Sequence, residues 1–151
     1  MLPLCLLAAA LAQAAMSPAE RSAIERAVLE VNDRTTAAAE SLDADRLYSY
    51  MLDTDKGSVV QGGAIVPTRA QALEQTKRSF AGLRKVEYRW KHRYVTVLSP
   101  EVALLVGDGE SSFTTAQGDT FTMSFAQTAV FVLTGGQWKI QHAHHSTTPR
   151  R

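Results

Sequence analysis

Between Val86 and Thr147 the chain is written in four long runs that alternate apolar and polar residues, parted by Ser99-Pro100, Ala116–Asp119 and Gly135-Gly136. A period of two puts successive side chains on opposite faces of a strand, so these runs demand an antiparallel sheet with one face on a core. The tight Gly-Gly turn joins the last two as a hairpin. Segments of helical period come first. Long helices ahead of a run of strands require an α+β layer arrangement, with helices covering one side of a curved sheet.

The helical segments carry their own start signals. Ser17-Pro18-Ala19-Glu20 is a capping box with Pro at the first helical position. Behind it Ile24, Ala27, Val28, Val31, Thr35, Ala38 and Leu42 form an apolar stripe at spacings of three and four. Asp43 is a fresh cap for a short helix bearing Leu47, Tyr48, Met51 and Leu52. Two short β segments, 58–61 and 64–66, are broken by Gly62-Gly63, and Thr68 opens a further helix with Ala70, Leu73, Thr76, Phe80 and Leu83 on one face.

Residues 1–15 hold no charged side chain and are almost wholly apolar. The run is shorter than the about 20 residues a bilayer span needs, but it matches a secretory core followed by small-x-small sites. The expectation is a signal peptide over residues 1–14, cleaved after Ala12-Gln13-Ala14, and a single domain over residues 15–151 in a periplasmic or secreted protein. It lacks the usual basic start. Cys5, the one cysteine, lies in this leader, so the mature chain has no thiol. With 16 basic against 15 acidic side chains the net charge is +1, too balanced for a nucleic-acid partner. No integral membrane segment is expected after cleavage.

Three of the four histidines fall within residues 142–145. On an uninterrupted strand, Trp138, Ile140, His142, His144 and Ser146 share one face, while Lys139, Gln141, Ala143 and His145 share the other. This places His142 and His144 roughly 7 Å apart on the pocket side and His145 outside. Such a pair serves as a proton relay, a ligand-binding pair or two metal ligands. A metal needs a third ligand, and none stands at a suggestive spacing, so neither metal nor cofactor is expected. On the strand from Val86, alternation puts Glu87, Arg89, Lys91 and Arg93 on a charged outer face and Tyr88, Trp90, His92 and Tyr94 opposite. Tyr48 faces the core rather than Tyr50, because a helix turns about 100° per residue. The candidate catalytic residues are His142, His144 and Tyr48; the candidate ligand-binding residues are Trp90, Gln127, His92 and Met51.

The order of elements, the entry Leu42-Asp43-Ala44-Asp45-Arg46-Leu47 and the closing hairpin Thr128–Ser146, ending Gly-x-Trp-Lys-Ile-x-His-x-His-x-Ser, resemble the nuclear transport factor 2-like superfamily and its SnoaL-like domains. The resemblance covers roughly residues 17–148. It implies a cone-shaped, strongly curved antiparallel sheet wrapped around N-terminal helices, also described as a cystatin-like roll, with a pocket between them and a homodimer formed through the outer sheet face. The superfamily holds isomerases, dehydratases and non-enzymatic domains, so fold does not give function. Ketosteroid-isomerase relatives use pocket carboxylates, whereas here the acids stand in turns and on helix surfaces. Three readings follow: a pocket binding a small hydrophobic or amphipathic molecule; an isomerase or dehydratase using His and Tyr for proton transfer; or a non-catalytic dimerisation domain.

Overall fold

The computed structural model describes residues 16–148. The expected leader and the extreme C-terminus lie outside the described residues. Helix α1 (Pro18–Glu40) starts on the capping box: the Glu20 backbone N–H donates to Ser17 Oγ at 3.2 Å, and Glu20 Oε2 accepts from the Ser17 backbone N–H at 2.7 Å. It ends with Leu42 in the left-handed region, φ 58°, while Leu42 N–H donates to the Ala39 carbonyl and Asp43 N–H to that of Ala38. This is a Schellman close built without glycine. Asp43 then caps α2 (Ala44–Ser49), and Thr68 caps α3 (Arg69–Ala81).

Six strands form one open sheet in the order β2-β1-β6-β5-β4-β3. They are β1 (Val59–Gln61), β2 (Ala64–Val66), β3 (Leu83–Ser99), β4 (Val102–Thr115), β5 (Thr120–Thr134) and β6 (Gln137–Thr147). Strands β3 to β6 run as an antiparallel meander; β1 joins β6 in parallel, and Met51 makes a further parallel bridge to Ile140 of β6. Both tight hairpins are glycine pairs at positive φ, as turns of this twist require: Gly62-Gly63 and Gly135-Gly136. The helices lie on the concave face. There Val28 of α1, Tyr48 of α2, Met51 and Ala72 of α3 pack against Ala103, Leu105, Ala129, Phe131, Ile140 and Ala143.

Two bulges decide which side chains reach that face. On β3, Trp90 pairs with Gly109 and His92 with Asp108, which leaves Lys91 without a partner. On β6, Ile140 pairs with Phe131 and His142 with Val130, which leaves Gln141 over. One extra residue inverts the side-chain alternation beyond it. Arg93 therefore turns inward, and His92 and Tyr94 turn outward, correcting the expected faces of β3. Likewise Ala143 and His145 turn inward while His142 and His144, still sharing a face, stand on the outer one. The expected pocket pair and its excluded neighbour have exchanged sides.

Candidate functional site

Cross-strand register defines a polar row over the concave face: Arg93, Gly107, Gln127, His145 and Gln61 lie side by side on β3, β4, β5, β6 and β1. On one side of it runs the apolar row Val95, Leu105, Ala129, Ala143, Val59 and Val66. On the other lie Trp90, Gly109 and Phe125, then Tyr88, Ser111 and Met123. A band of polar groups thus crosses an otherwise apolar, partly aromatic wall.

The Arg93 end is tied to α1. Its guanidinium donates to Asn32 Oδ1 at 3.1 Å, pairs with Asp33, and lies 5.8 Å from the centre of the Trp90 ring. Trp90 Nε1–H donates to Thr36 Oγ1 at 3.2 Å. Asn32, only 1% exposed, sits in the apolar stripe of α1 as the acceptor that lets Arg93 enter. The glycines opposite give the bulge its room: a Cβ on Gly107 would lie 2.8 Å from the Trp90 ring, and one on Gly109 would lie 2.3 Å from the Arg89 carbonyl oxygen. Gly107 and Gly109 on β4 thus face the bulge at Lys91 on β3.

The rest of the band is unengaged. Among the described residues no hydrogen bond holds the side chain of Gln127, the ring of His145 or the phenol of Tyr88. None is sealed, since each keeps part of its surface open. Burial, with His144 and then His142 adding repulsion, pulls His145 down to about 4 although some of the residue's surface stays open, so the imidazole is neutral at pH 7. Burial likewise pushes the Tyr88 phenol up to about 12, with Glu40 and Tyr48 opposing its negative form. Tyr48 faces the core, its hydroxyl 3.0 Å from Thr76 Oγ1, and burial raises it too against the opposing effect of that bond. The titratable groups here are held uncharged apart from Arg93, which Asp33 neutralises.

The candidate residues therefore divide. Tyr48, Trp90, Gln127 and Met51 share the concave side, Met51 as a core side chain bridged to Ile140. His92 stands outside, its Nδ1 2.8 Å from Asp108 Oδ1 and its ring parallel to Tyr94. His142 Nδ1–H donates to the Gly57 carbonyl at 2.6 Å on the outer face, and His144 is exposed there. His145, Tyr88, Arg93 and Asn32 were not among the sequence candidates. Two open grooves, of about 520 Å³ between the α1–α2 junction and α3 and about 470 Å³ between β2 and α3, share none of the polar-band residues. Among the described residues no three His, Cys, Asp or Glu side chains could hold a metal ion, and no helix is long and apolar enough to cross a membrane.

A curved open sheet folded over N-terminal helices is the architecture of the nuclear transport factor 2-like superfamily. Residues 28–150 match the model of the SnoaL-like domain, and the chain belongs to that family. Solved structures share the fold at low identity. A candidate scytalone dehydratase from Novosphingobium aromaticivorans is 11% identical with a TM-score of 0.80, covering 89% of this chain and 91% of its own. A nuclear transport factor 2-like protein from Salmonella enterica is 14% identical at 0.77, covering 85% and 94%. Hexachlorocyclohexane dehydrochlorinase LinA-type3 from Novosphingobium barchaimii is 13% identical at 0.75, covering 89% and 93%. No curated protein matches the sequence.

Proposed function

We propose that the protein binds a small, uncharged, hydrophobic or amphipathic molecule against the concave face of its sheet. One observation carries this reading: Tyr88, Gln127 and His145 present polar groups from a largely apolar wall, with no hydrogen bond to them among the described residues. Half-buried polar groups that project from an apolar wall with no protein partner are open to a guest that supplies the bonds. Titration with acetylnaphthalene, followed by amide and indole NMR shifts, tests it. Perturbation of the Gln127 amide, His145 and the Trp90 indole is expected. Shifts confined to outer-face His142, His144 and Tyr94 would refute it.

Elimination is the second reading, favoured by the names of two similar folds, a dehydrochlorinase and a candidate dehydratase. His145, rather than His142 or His144, would be its inward base, and Tyr48 or Tyr88 its proton donor. A base with a pKa of about 4 is weak, which makes binding the better-supported conclusion. Chloride release from hexachlorocyclohexane that disappears in His145→Gln would reverse that order.

Assembly and export complete the proposal. Tyr94, Val106, Thr128, His144, Val60 and Ile65 form one row across the outer face; Tyr94 is 65% and Ile65 69% exposed. A second copy stacked there by a two-fold would cover them. Sedimentation should show a dimer that Val106→Glu dissociates, and a monomer at all concentrations would refute it. Export through the apolar leader predicts a mature chain beginning near Ala15, read by mass spectrometry of protein from its native cell; intact Met1 there would refute it.

A further inference from the structure

The concave side of β3, β4 and β5 carries a continuous aromatic wall. Phe121 and Phe113 are near-parallel at 5.4 Å between centroids; Tyr88 meets Phe113 edge-on at 6.3 Å and Phe125 at 5.7 Å; Trp90 meets Phe125 edge-on at 4.9 Å. Phe125 is buried, but Phe113, Phe121, Tyr88 and Trp90 each keep part of their surface open, with Met123 half-buried beside them. The wall is therefore incompletely covered by the helices packed over this face. Among the described residues the Tyr88 hydroxyl, set within it, has no protein partner, and the Ser111 hydroxyl beside it on β4 has none either. Its backbone N–H is already taken by Glu40 Oε1 at 2.8 Å, so that carboxylate is engaged elsewhere. Tyr48, the nearest other phenol to influence it, is bonded to Thr76.

We infer that the ligand is a flat, uncharged aromatic molecule bearing a hydrogen-bond acceptor, lying on the Phe113–Tyr88–Phe125 wall and accepting the Tyr88 phenol hydrogen. This rests on the concave face being the binding site. Aromatic guests gain over aliphatic ones because ring edges and faces alternate along the wall and each complements a π-system. Charge is disfavoured because the single cation of the band, Arg93, is already held by Asn32 and Asp33. An acceptor is favoured because a half-buried phenol that stays protonated donates, and among the described residues nothing takes its hydrogen. Tyr88 thus sets specificity, distinguishing molecules of one shape by the atom they place against it.

The test uses two flat guests of one shape, β-acetylnaphthalene and β-isopropenylnaphthalene, which exchange a carbonyl oxygen for a methylene. Their Kd values are measured by naphthyl fluorescence on the wild type, Tyr88→Phe and Phe113→Leu. The hydrocarbon is the more hydrophobic, so the quantity to read is the ratio of the two Kd values. In Tyr88→Phe the relative preference for the ketone should fall about fivefold, the worth of one neutral hydrogen bond, while hydrocarbon binding holds. In Phe113→Leu both guests should weaken together with the ratio unchanged, a result that does not depend on Tyr88→Phe folding well. If both guests bind and the ratio is the same in wild type and Tyr88→Phe, the donor assignment is overturned while the binding site stands. If Phe113→Leu leaves both Kd values unchanged, the aromatic wall is overturned. If neither guest binds the wild type, the concave-face reading falls and this inference with it.

Discussion

Gly109→Ala asks whether the β3 bulge depends on the bare backbone facing it. The new Cβ would stand 2.3 Å from the Arg89 carbonyl oxygen and 3.0 Å from both the Arg89 carbonyl carbon and Trp90 Cα. Ordinary contact with carbon begins near about 3.5 Å, so relief requires β3 to retreat by roughly 1 Å. All three obstacles are backbone, and no side-chain rotation helps. Such a shift loosens the ladder bonds around Trp90 and the packing of its ring on Gly107, a cost of about 2–4 kcal/mol by comparison with other overpacked interiors. For a domain of this size that lowers Tm by about 10 °C. Thermal unfolding read by circular dichroism, with urea denaturation alongside, measures it. Gly82→Ala is the control: Gly82 has φ −90°, its Cβ would meet only Ser79 O at 3.8 Å, and the change should stay within about 0.5 kcal/mol. If Gly109→Ala unfolds with the wild type, or the two variants behave alike, the fitted contact between bulge and glycine does not exist.

Stability should fall in mild acid because of His145. Its folded pKa of about 4 lies below the ordinary 6.5, so the folded state binds the proton more weakly, and stability present above pH 6.5 is lost as pH falls towards 4. The loss should approach about 2–3 kcal/mol and be largely absent in His145→Gln; equal decline in both, read by urea midpoints at pH 7 and pH 4.5, would refute it. Asn32→Ala should cost about 2 kcal/mol, because it strips a buried acceptor from Arg93, whereas Asp33→Ala, at an exposed carboxylate, should cost less than about 1 kcal/mol. The opposite order in urea unfolding would show that the exposed ion pair, not the buried amide, holds the guanidinium.

The helices were legible because their signals are local. Ser17, Asp43 and Thr68 each cap the helix they announce, and Tyr48 faces inward as its angular position requires. Strand extents were legible within a few residues for the same reason. Strand parity was not. Alternation read through Lys91 and Gln141 is correct up to each bulge and inverted after it, which is how His92 acquired a pocket role and Arg93 a solvent one. On β6 the error could not reveal itself, because residues 142–145 supply histidines of both parities. Gly107 and Gly109 were a signal for the bulge on β3, since two glycines two apart on one strand mark close approach by a neighbour. Asn32 stands in the α1 stripe four residues after Val28 and three before Thr35, and a polar residue at that position implies a buried partner. Tyr88 was placed on the inward face but not among the candidates, because whether a phenol finds a partner depends on residues far away in sequence.

The position of β6 bears on how the molecule comes to be. Made last of the strands, it lies between β5 and β1, and its parallel register ties Val59 to Ala143 and Gln61 to His145 across more than half the chain. The β1–β2 hairpin has no sheet to join until that strand is complete, so the early segments emerge from synthesis with nothing to dock against. Sequence separation alone predicts that this pairing forms after the meander β3–β5, whose strands are near neighbours along the chain. Until the last strand seats, the edges of β5 and β1 stand open to foreign strands.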